Sequence, residues 1–408
     1  MRSAHSIYRT QLAALAHDEL VVETLNSLAA KHSWLPARRN WSRTYGRFNP
    51  DQEPFASLVL EKTKRSEGFR QAQLIIHVDV FTKEPQQTTE NEALAFHRGL
   101  GWLRAWPFPS DRSIPTIASV LKNGNGPTTI VRYRPGRRCT IRFDENGRSR
   151  FAKVYPKKFS RYGRGAQILS LAKEVWNSAE RRRLQFAVAR PLGWDEATRT
   201  FWQEKIDGTP VLDQLFSRSG ERLTRNIGHH AASLPCSGLR PTRKFDGAAQ
   251  MATSIRRCKE LSLRVPGMAS CLDAMLDKLA QKHALLQSRS LPIHGDLDAS
   301  QWIYDGHRLG LTDFDDFALG DPELDAATFL AELEFEGGSG DHIKELNHAF
   351  LAGYESISGP LNRELLAAYL AHQRIYKALR VARALQPHGD ALSESILASA
   401  STALMHAN

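Results

Sequence analysis

Residues 8–31 place Leu12, Leu15, Leu20, Val21 and Leu25 near helical spacing, which predicts an opening helix. Two β-rich runs follow, 55–61 (FASLVLE) and 73–82 (QLIIHVDVFT), separated by a polar loop. They read as an antiparallel pair. The Trp- and Pro-rich stretch GWLRAWPFPSDRSIP, 101–115, reads as a boundary or an ordered crossover. The first domain boundary is expected near residue 125, closing an N-terminal α/β module of 1–125.

From 127 to 155 the pattern gives three strands. Thr128–Arg134 leads into a Pro135-Gly136 turn, Cys139–Phe143 into an Asn146-Gly147 turn that favours a tight hairpin, and Ser149–Tyr155 is the third. A helix over about 164–184 and strands at Ala187–Trp194 and Thr200–Ile206 complete a small antiparallel lobe, 126–207. After Gly208 the character changes. Residues 246–287 and 323–404 carry long Ala/Leu-rich helical patterns. Between them lie short strands around Ile293 and in the pair Trp302–Tyr304 and Leu309–Thr312, joined by Asp305-Gly306. This makes 208–408 a mainly helical lobe with one small hairpin, and the segregation of strands from helices argues an α+β chain.

Composition changes this picture little. The 408 residues are 41% hydrophobic and 24% charged, ordinary for a globular chain. No run of about 18 apolar residues predicts a membrane span. The N-terminus lacks the continuous apolar stretch of a signal peptide and reads as the start of a folded domain. Cys139, Cys236, Cys258 and Cys271 are too sparse for a disulfide framework or a C-x-x-C pair, so they read as small buried hydrophobes in a reducing cytoplasm.

Charge is more informative in its distribution than in its sum of +11. Residues 150–190 hold eleven Lys/Arg and two Glu, whereas 292–341 hold thirteen Asp/Glu and one Arg. A basic and an acidic segment in one chain suit an enzyme that binds a phosphate donor and a metal. Nucleic-acid binding rests on the basic surplus alone and is disfavoured.

The most informative stretch is LPIHGDLDASQWIYDGHRLGLTDFDDFALGDPELDAA, 291–327. Asp296 follows a short apolar strand. Gln301 stands five residues later, at the entrance to the hairpin, and Asp313 at the hairpin's far end. Closing the hairpin brings two carboxylates and an amide oxygen together, giving hard oxygen ligands and one free base. Phosphoryl transfer needs that set, because charge on the transferring group must be neutralised while the attacking hydroxyl loses its proton.

His294-Gly295-Asp296-Leu297, an amide five positions after the Asp, Thr312-Asp313, and Gly320-Asp321-Pro322 with Asp325 together resemble the signature of the aminoglycoside phosphotransferase and choline kinase-like superfamily. The resemblance covers about 127–385. It implies a bilobal protein-kinase-like fold, Asp296 as catalytic base, and Asp313 as the magnesium ligand equivalent to the kinase DFG aspartate. Gln301 takes the place usually held by a metal-binding Asn, as in maltokinase-like members, which also carry an extra N-terminal module. Asp321 and Asp325 read as structural, Asp321 as a cap for the helix begun by Pro322.

That fold makes demands upstream. Lys153, on the third strand, is placed to hold the donor phosphates. Glu174 on the following helix is its expected partner, with Glu180 as the alternative. Gly136 would let backbone approach phosphate, with Arg137 or Arg138 beside it. The segment 201–208 matches the hinge, where backbone near Glu204 and Ile206 would hold adenine.

The implied activity is an ATP- and Mg2+-dependent kinase acting on a small-molecule hydroxyl, with a catalytically inactive nucleotide-sensing or interaction module as the alternative. For the acceptor, Asp298, Asp315, Asp316, Glu332, Glu334, Glu336 and Asp341 are candidates to line a negative pocket for a cationic amine. A sugar is the competing expectation.

Overall fold

The structure is a computed structural model. It describes residues 4–35, 41–49, 52–66, 69–86, 89–124, 126–159, 164–217, 219–337 and 340–406. The chain divides into two compact units. One comprises Met1–Gly165, Trp194–Trp202 and Leu379–Ser393; the other comprises Ala166–Gly193, Gln203–Ala378 and Glu394–Asn408.

The first unit opens with α1 (Ala4–Leu15) and α2 (Glu19–Ala29), two helices where the periodicity predicts one. The break falls at His17-Asp18, and the Arg43 guanidinium fills it by donating to the Leu15 carbonyl (2.7 Å) and pairing with Asp18. Five strands follow: β1 (Ser42–Phe48), β2 (Ala56–Ser66), β3 (Phe69–Phe81), β4 (Ala93–His97) and β5 (Gly101–Pro107), in the order β1-β2-β3-β5-β4. The expected β2/β3 pair is antiparallel, with Leu58 opposite Val78. The stretch at 101–107 is a strand rather than a crossover. Leu103 and Ala105 alternate into the core, and Ala105 pairs with Val78 of β3. One face of the sheet packs Leu58, Ile76, Val78, Val80 and Leu103 against Leu15, Val21 and Leu25 of the helices.

The opposite face shares a second core with the next sheet. After α3 (Ile117–Lys122) come β6 (Thr128–Arg134), β7 (Arg138–Glu145) and β8 (Arg148–Val154). Val59 and Ile75 join Tyr133, Ile141, Phe143, Ala152 and Val154 there. Residue 125, the expected boundary, lies outside the described residues. The C-terminal segment also returns to this unit: Leu385 is buried in the first core, and its carbonyl accepts from Arg43 (2.6 Å).

Next along the chain are α4 (Arg164–Glu180), β9 (Ala187–Val188), β10 (Pro191–Asp195) and β11 (Thr200–Glu204). The predicted strand 187–194 is therefore two. β10 joins a sheet of order β10-β11-β8-β7-β6, whereas β9 runs parallel to a strand of another sheet. The second unit continues with β12 (Thr209–Pro210), α5 (Leu212–Leu215), α6 (Gly220–Ala231), β13 (Lys244–Phe245), α7 (Gly247–Arg264), α8 (Ala269–Leu285), β14 (Leu291–Ile293), β15 (Trp302–Tyr304), β16 (Leu309–Leu311) and β17 (Ala318–Gly320). Four helices close the chain: α9 (Pro322–Gly337), α10 (Asp341–Ser358), α11 (Arg363–Arg383) and α12 (Gly389–His406). Two small sheets, β12-β15-β16-β9 and β13-β17-β14, lie beside a core of Phe186, Trp302, Phe317, Phe329, Phe350 and Tyr369. Among the described residues no helix is long and apolar enough to cross a membrane.

Two of the four cysteines are buried as expected and two are not. Cys139 and Cys258 are buried, and burial pushes the Cys258 thiol up to about 12. Cys271 is half-buried and Cys236 is exposed.

Candidate active site

β14 ends at Ile293, and after His294 the chain turns sharply. Gly295 sits at φ +81°, where a Cβ would run into the Asp316 carbonyl, so only glycine fits. Asp325, buried in the first turn of α9, fastens this turn. Its two oxygens accept from the N–H groups of His294 (2.7 Å) and Gly295 (2.8 Å). The buried His294 ring donates through Nε2 to the Thr312 carbonyl (3.0 Å) and lies edge-on to Phe314. One turn is thus tied to a strand, a helix and the end of the hairpin.

The hairpin does what its sequence predicts. Trp302 pairs with Leu311 and Tyr304 with Leu309, so residues 301 and 312 meet at the open end. The Gln301 carbonyl accepts both the N–H (3.2 Å) and the hydroxyl (3.1 Å) of Thr312. Asp298 caps the 3-10 turn 299–301 by accepting from Ser300 N–H (2.8 Å). That turn presents Gln301, whose Nε2 donates to Asp296 Oδ2 at 3.4 Å. Gln301 Oε1 is buried and has no hydrogen-bond partner. A buried amide oxygen without a donor is unfavourable by about 1–3 kcal/mol unless something electropositive reaches it. Asp313, directly after the hairpin, has φ +66° and ψ 55°, left-handed for a non-glycine residue. Strained backbone of this kind concentrates at functional positions.

Two carboxyls here are raised, Asp296 and Asp325. Burial, and after it the negative charges of Asp316, Asp298 and Asp313, push the Asp296 carboxyl up to about 6, while Lys377 pulls it the other way. Asp316 is itself paired with Arg243 (2.5 Å). Asp325 also rises to about 6, from burial, although its two amide donors oppose the shift.

Asp296, Gln301 and Asp313 are therefore assembled within one unit. Among the described residues no three His, Cys, Asp or Glu side chains gather as a metal cage. Magnesium does not require one, since phosphate oxygens and water complete its octahedron. The orphaned Gln301 oxygen and the Asp313 carboxylate are hard donors of the right kind.

The other predicted residues are distributed over both units. In the first, Lys153 is buried on β8 opposite Thr140, on the face away from the core residues Ala152 and Val154. Gly136 has φ +65°, and its N–H donates to Asp111 Oδ2 (2.8 Å). Asp111 also accepts from the Tyr133 hydroxyl (2.8 Å) and from Ser113 N–H (2.8 Å). This turn is held by a residue of the N-terminal segment. Arg138 opens β7 opposite Arg134. In the second unit, Glu174 and Glu180 are both exposed on α4. The Glu204 N–H donates to the Arg190 carbonyl (2.9 Å), and Ile206 packs over Gly310.

Sequence reasoning missed Arg243, Asp111 and Lys377, which act from positions remote in the chain. Asp321 does not use its side chain as a cap: it accepts from Ser288, Arg289 N–H and Tyr369 (2.5 Å). The acids of α9 are also not an open negative wall. Glu332 is paired with Lys377 and Glu334 with Arg374.

With this geometry in hand, the chain can be set beside known proteins. Residues 140–369 match the sequence profile of the phosphotransferase enzyme family. A search of curated proteins returns no significant match. Among solved structures, choline kinase LicA from Streptococcus pneumoniae is similar at 15% identity and TM-score 0.50, covering 70% of this chain and 96% of its own. A choline/ethanolamine kinase family protein from Mesorhizobium loti aligns at 16% identity and TM-score 0.48, over 70% and 90%. The aminoglycoside phosphotransferase APH(3'')-Id from Streptomyces rimosus, in complex with ADP and streptomycin, aligns at 17% identity and TM-score 0.45, over 63% and 95%.

Proposed function

Because the chain belongs to the phosphotransferase enzyme family and has its protein-kinase-like fold, we propose that it transfers the γ-phosphoryl group of ATP to a hydroxyl of a small molecule, with magnesium bound at Asp313 and Gln301. That it is a phosphotransferase follows from the family. The donor, the metal and the roles of single residues are our reading. The observation that carries it is the pairing of a raised, amide-bonded Asp296 with the unpartnered Gln301 oxygen.

Asp296 is the base. Gln301 donates to Oδ2 and leaves Oδ1 to accept the acceptor hydroxyl. A carboxyl near 6 is ionised at neutral pH yet more basic than an ordinary aspartate, which favours proton removal as the new P–O bond forms. Asp325, through the amides of residues 294 and 295, keeps Asp296 in one orientation. Magnesium, when bound by Asp313 and Gln301, would neutralise charge on the phosphates. Lys153 would hold the donor phosphates. Arg138 and the Gly136 turn would cover the phosphates, and the backbone near Glu204 and Ile206 would take the adenine.

The test is ATP- and magnesium-dependent phosphorylation of an acceptor panel, read by mass of the phosphate ester. Turnover that is lost in Asp296→Asn while nucleotide binding persists supports the assignment. Undiminished turnover in that variant refutes it. No thermal shift with ATP and magnesium would favour a catalytically inactive module.

A further inference from the structure

The turn between β6 and β7 is built on Arg134-Pro135-Gly136-Arg137. Arg137 N–H closes it by donating to the Arg134 carbonyl (3.0 Å), and Gly136 stands at φ +65°. Proline second and a positive-φ glycine third are what a type II turn asks for. The turn itself has no use for the Gly136 N–H, so the central peptide could flip to the type I orientation. Here that N–H is engaged: it donates to Asp111 Oδ2 (2.8 Å). The Tyr133 hydroxyl donates to the same oxygen (2.8 Å). Oδ1 accepts from Ser113 N–H (2.8 Å) and Ile114 N–H (3.1 Å), which folds the carboxylate's own loop around it. Asp111 is only 4% exposed, and these four donors satisfy it.

The loop that carries Asp111 is anchored at several points, all within the first unit. Arg112 pairs with the buried Glu92, just ahead of β4, through Nε (2.5 Å) and a terminal nitrogen (2.6 Å). The Ser113 carbonyl accepts from Lys157 N–H (2.9 Å), beyond β8. Thr116 Oγ1 donates to the Thr198 carbonyl (2.9 Å), between β10 and β11. Phe108 lies edge-on to Tyr133, with ring centres 5.0 Å apart. A fixed loop therefore presents a fixed carboxylate to the turn. Asp111 precedes the residues that the family profile matches, 140–369.

We propose that Asp111 is a positioning residue for the phosphate donor. It fixes the Pro135–Gly136 peptide, and with it the directions in which Arg137 and Arg138 leave the turn, before nucleotide arrives. The inference rests on the reading that this turn covers the donor phosphates, and deepens it. A turn free to flip must be ordered when nucleotide binds, and that ordering is subtracted from the affinity. A carboxylate bonded to the turn from another loop removes the cost in advance. A charged oxygen does this better than a neutral one, because its hydrogen bonds are shorter and stronger. The effect falls on nucleotide affinity rather than on the chemical step, since the base and the metal ligands stand on other elements.

The test uses the full chain. Calorimetry of ATP and magnesium with the unaltered protein comes first; without binding, the donor reading and this inference fall together. Hydrogen exchange then follows the Gly136 amide in the nucleotide-free protein. That amide should be protected by about tenfold or more over an open turn. Exchange at the open-turn rate overturns the inference, even where no variant folds. Asp111→Asn turns an N–H toward one of the two donor pairs, whichever way its amide lies. It should raise Kd and KM for ATP by about tenfold, with kcat for ADP release to water changed by less than about threefold. Tyr133→Phe keeps the Gly136 bond and should shift Kd by less than about twofold. Unchanged ATP affinity in folded Asp111→Asn, or an equal loss in Tyr133→Phe, makes Asp111 a structural residue only and overturns the inference.

Discussion

Two sets of acids lie within thirty residues of one another and do opposite work. Asp321, Glu323 and Asp325 are buried, and each has donors: Ser288, Arg289 N–H and Tyr369 for the first, the Arg289 guanidinium and Asn362 N–H (2.9 Å) for the second, and two turn amides for the third. Asp296 has one long amide bond and three nearby negative charges. Burial raises both Asp296 and Asp325, but donors occupy both Asp325 oxygens and make it a clamp, whereas Asp296 keeps an oxygen to take a proton. The clamp is what allows the base to persist, since a repelled carboxylate on a slack loop would swing into water.

The sharpest way to break this comparison is Asp296→Asn. Loss of the base should lower kcat by about 10³-fold or more, with nucleotide affinity little changed; single-turnover kinetics and calorimetry measure both. Next, Asp325→Asn removes half of the clamp and should destabilise the protein by about 1–3 kcal/mol in urea unfolding near pH 4, where the burial cost of its charge is absent, because a buried N–H loses its acceptor. A loss below the error of the measurement would contradict the clamp.

The third prediction has the opposite sign. The folded-state carboxyl of Asp296 lies near 6, above its ordinary 3.8, so its ionisation weakens the fold fully above pH 6 and progressively less as pH falls toward 3.8. Without ligands, Asp296→Asn should therefore gain about 1–3 kcal/mol at pH 7.5 and nothing near pH 4. Denaturation at both pH values reads this directly, and a destabilised variant at pH 7.5 would be incompatible with it. The smallest effect is expected from Gln301→Ala. It should raise the magnesium concentration for half-maximal nucleotide binding by about 3–10-fold, and an unaltered magnesium titration would remove Gln301 from the metal.

What could be read without coordinates was local. The 291–327 stretch announced its hairpin, because two three-residue strands and an Asp-Gly turn leave the chain few other ways to close, and closure puts Gln301 beside Asp296. The helical run after 323 and the β6–β7–β8 meander were legible for the same reason. The strand at 101–107 was hidden because its tryptophans and prolines look like punctuation, and only pairing with β3 makes it a strand. The break at His17-Asp18 depends on Arg43, and Arg43 in turn depends on Leu385, 342 residues further on.

Residue order alone set the carboxylates and the amide in place and, through the resemblance those carry, the phosphotransfer chemistry. It could not determine which acids are free to act. Glu332 and Glu334 read as an invitation to a cation until α11 brings Lys377 and Arg374 against them. Charge is a property of residues, but the field a ligand meets is a sum over partners, and partners 40 or more residues apart are chosen only when helices pack.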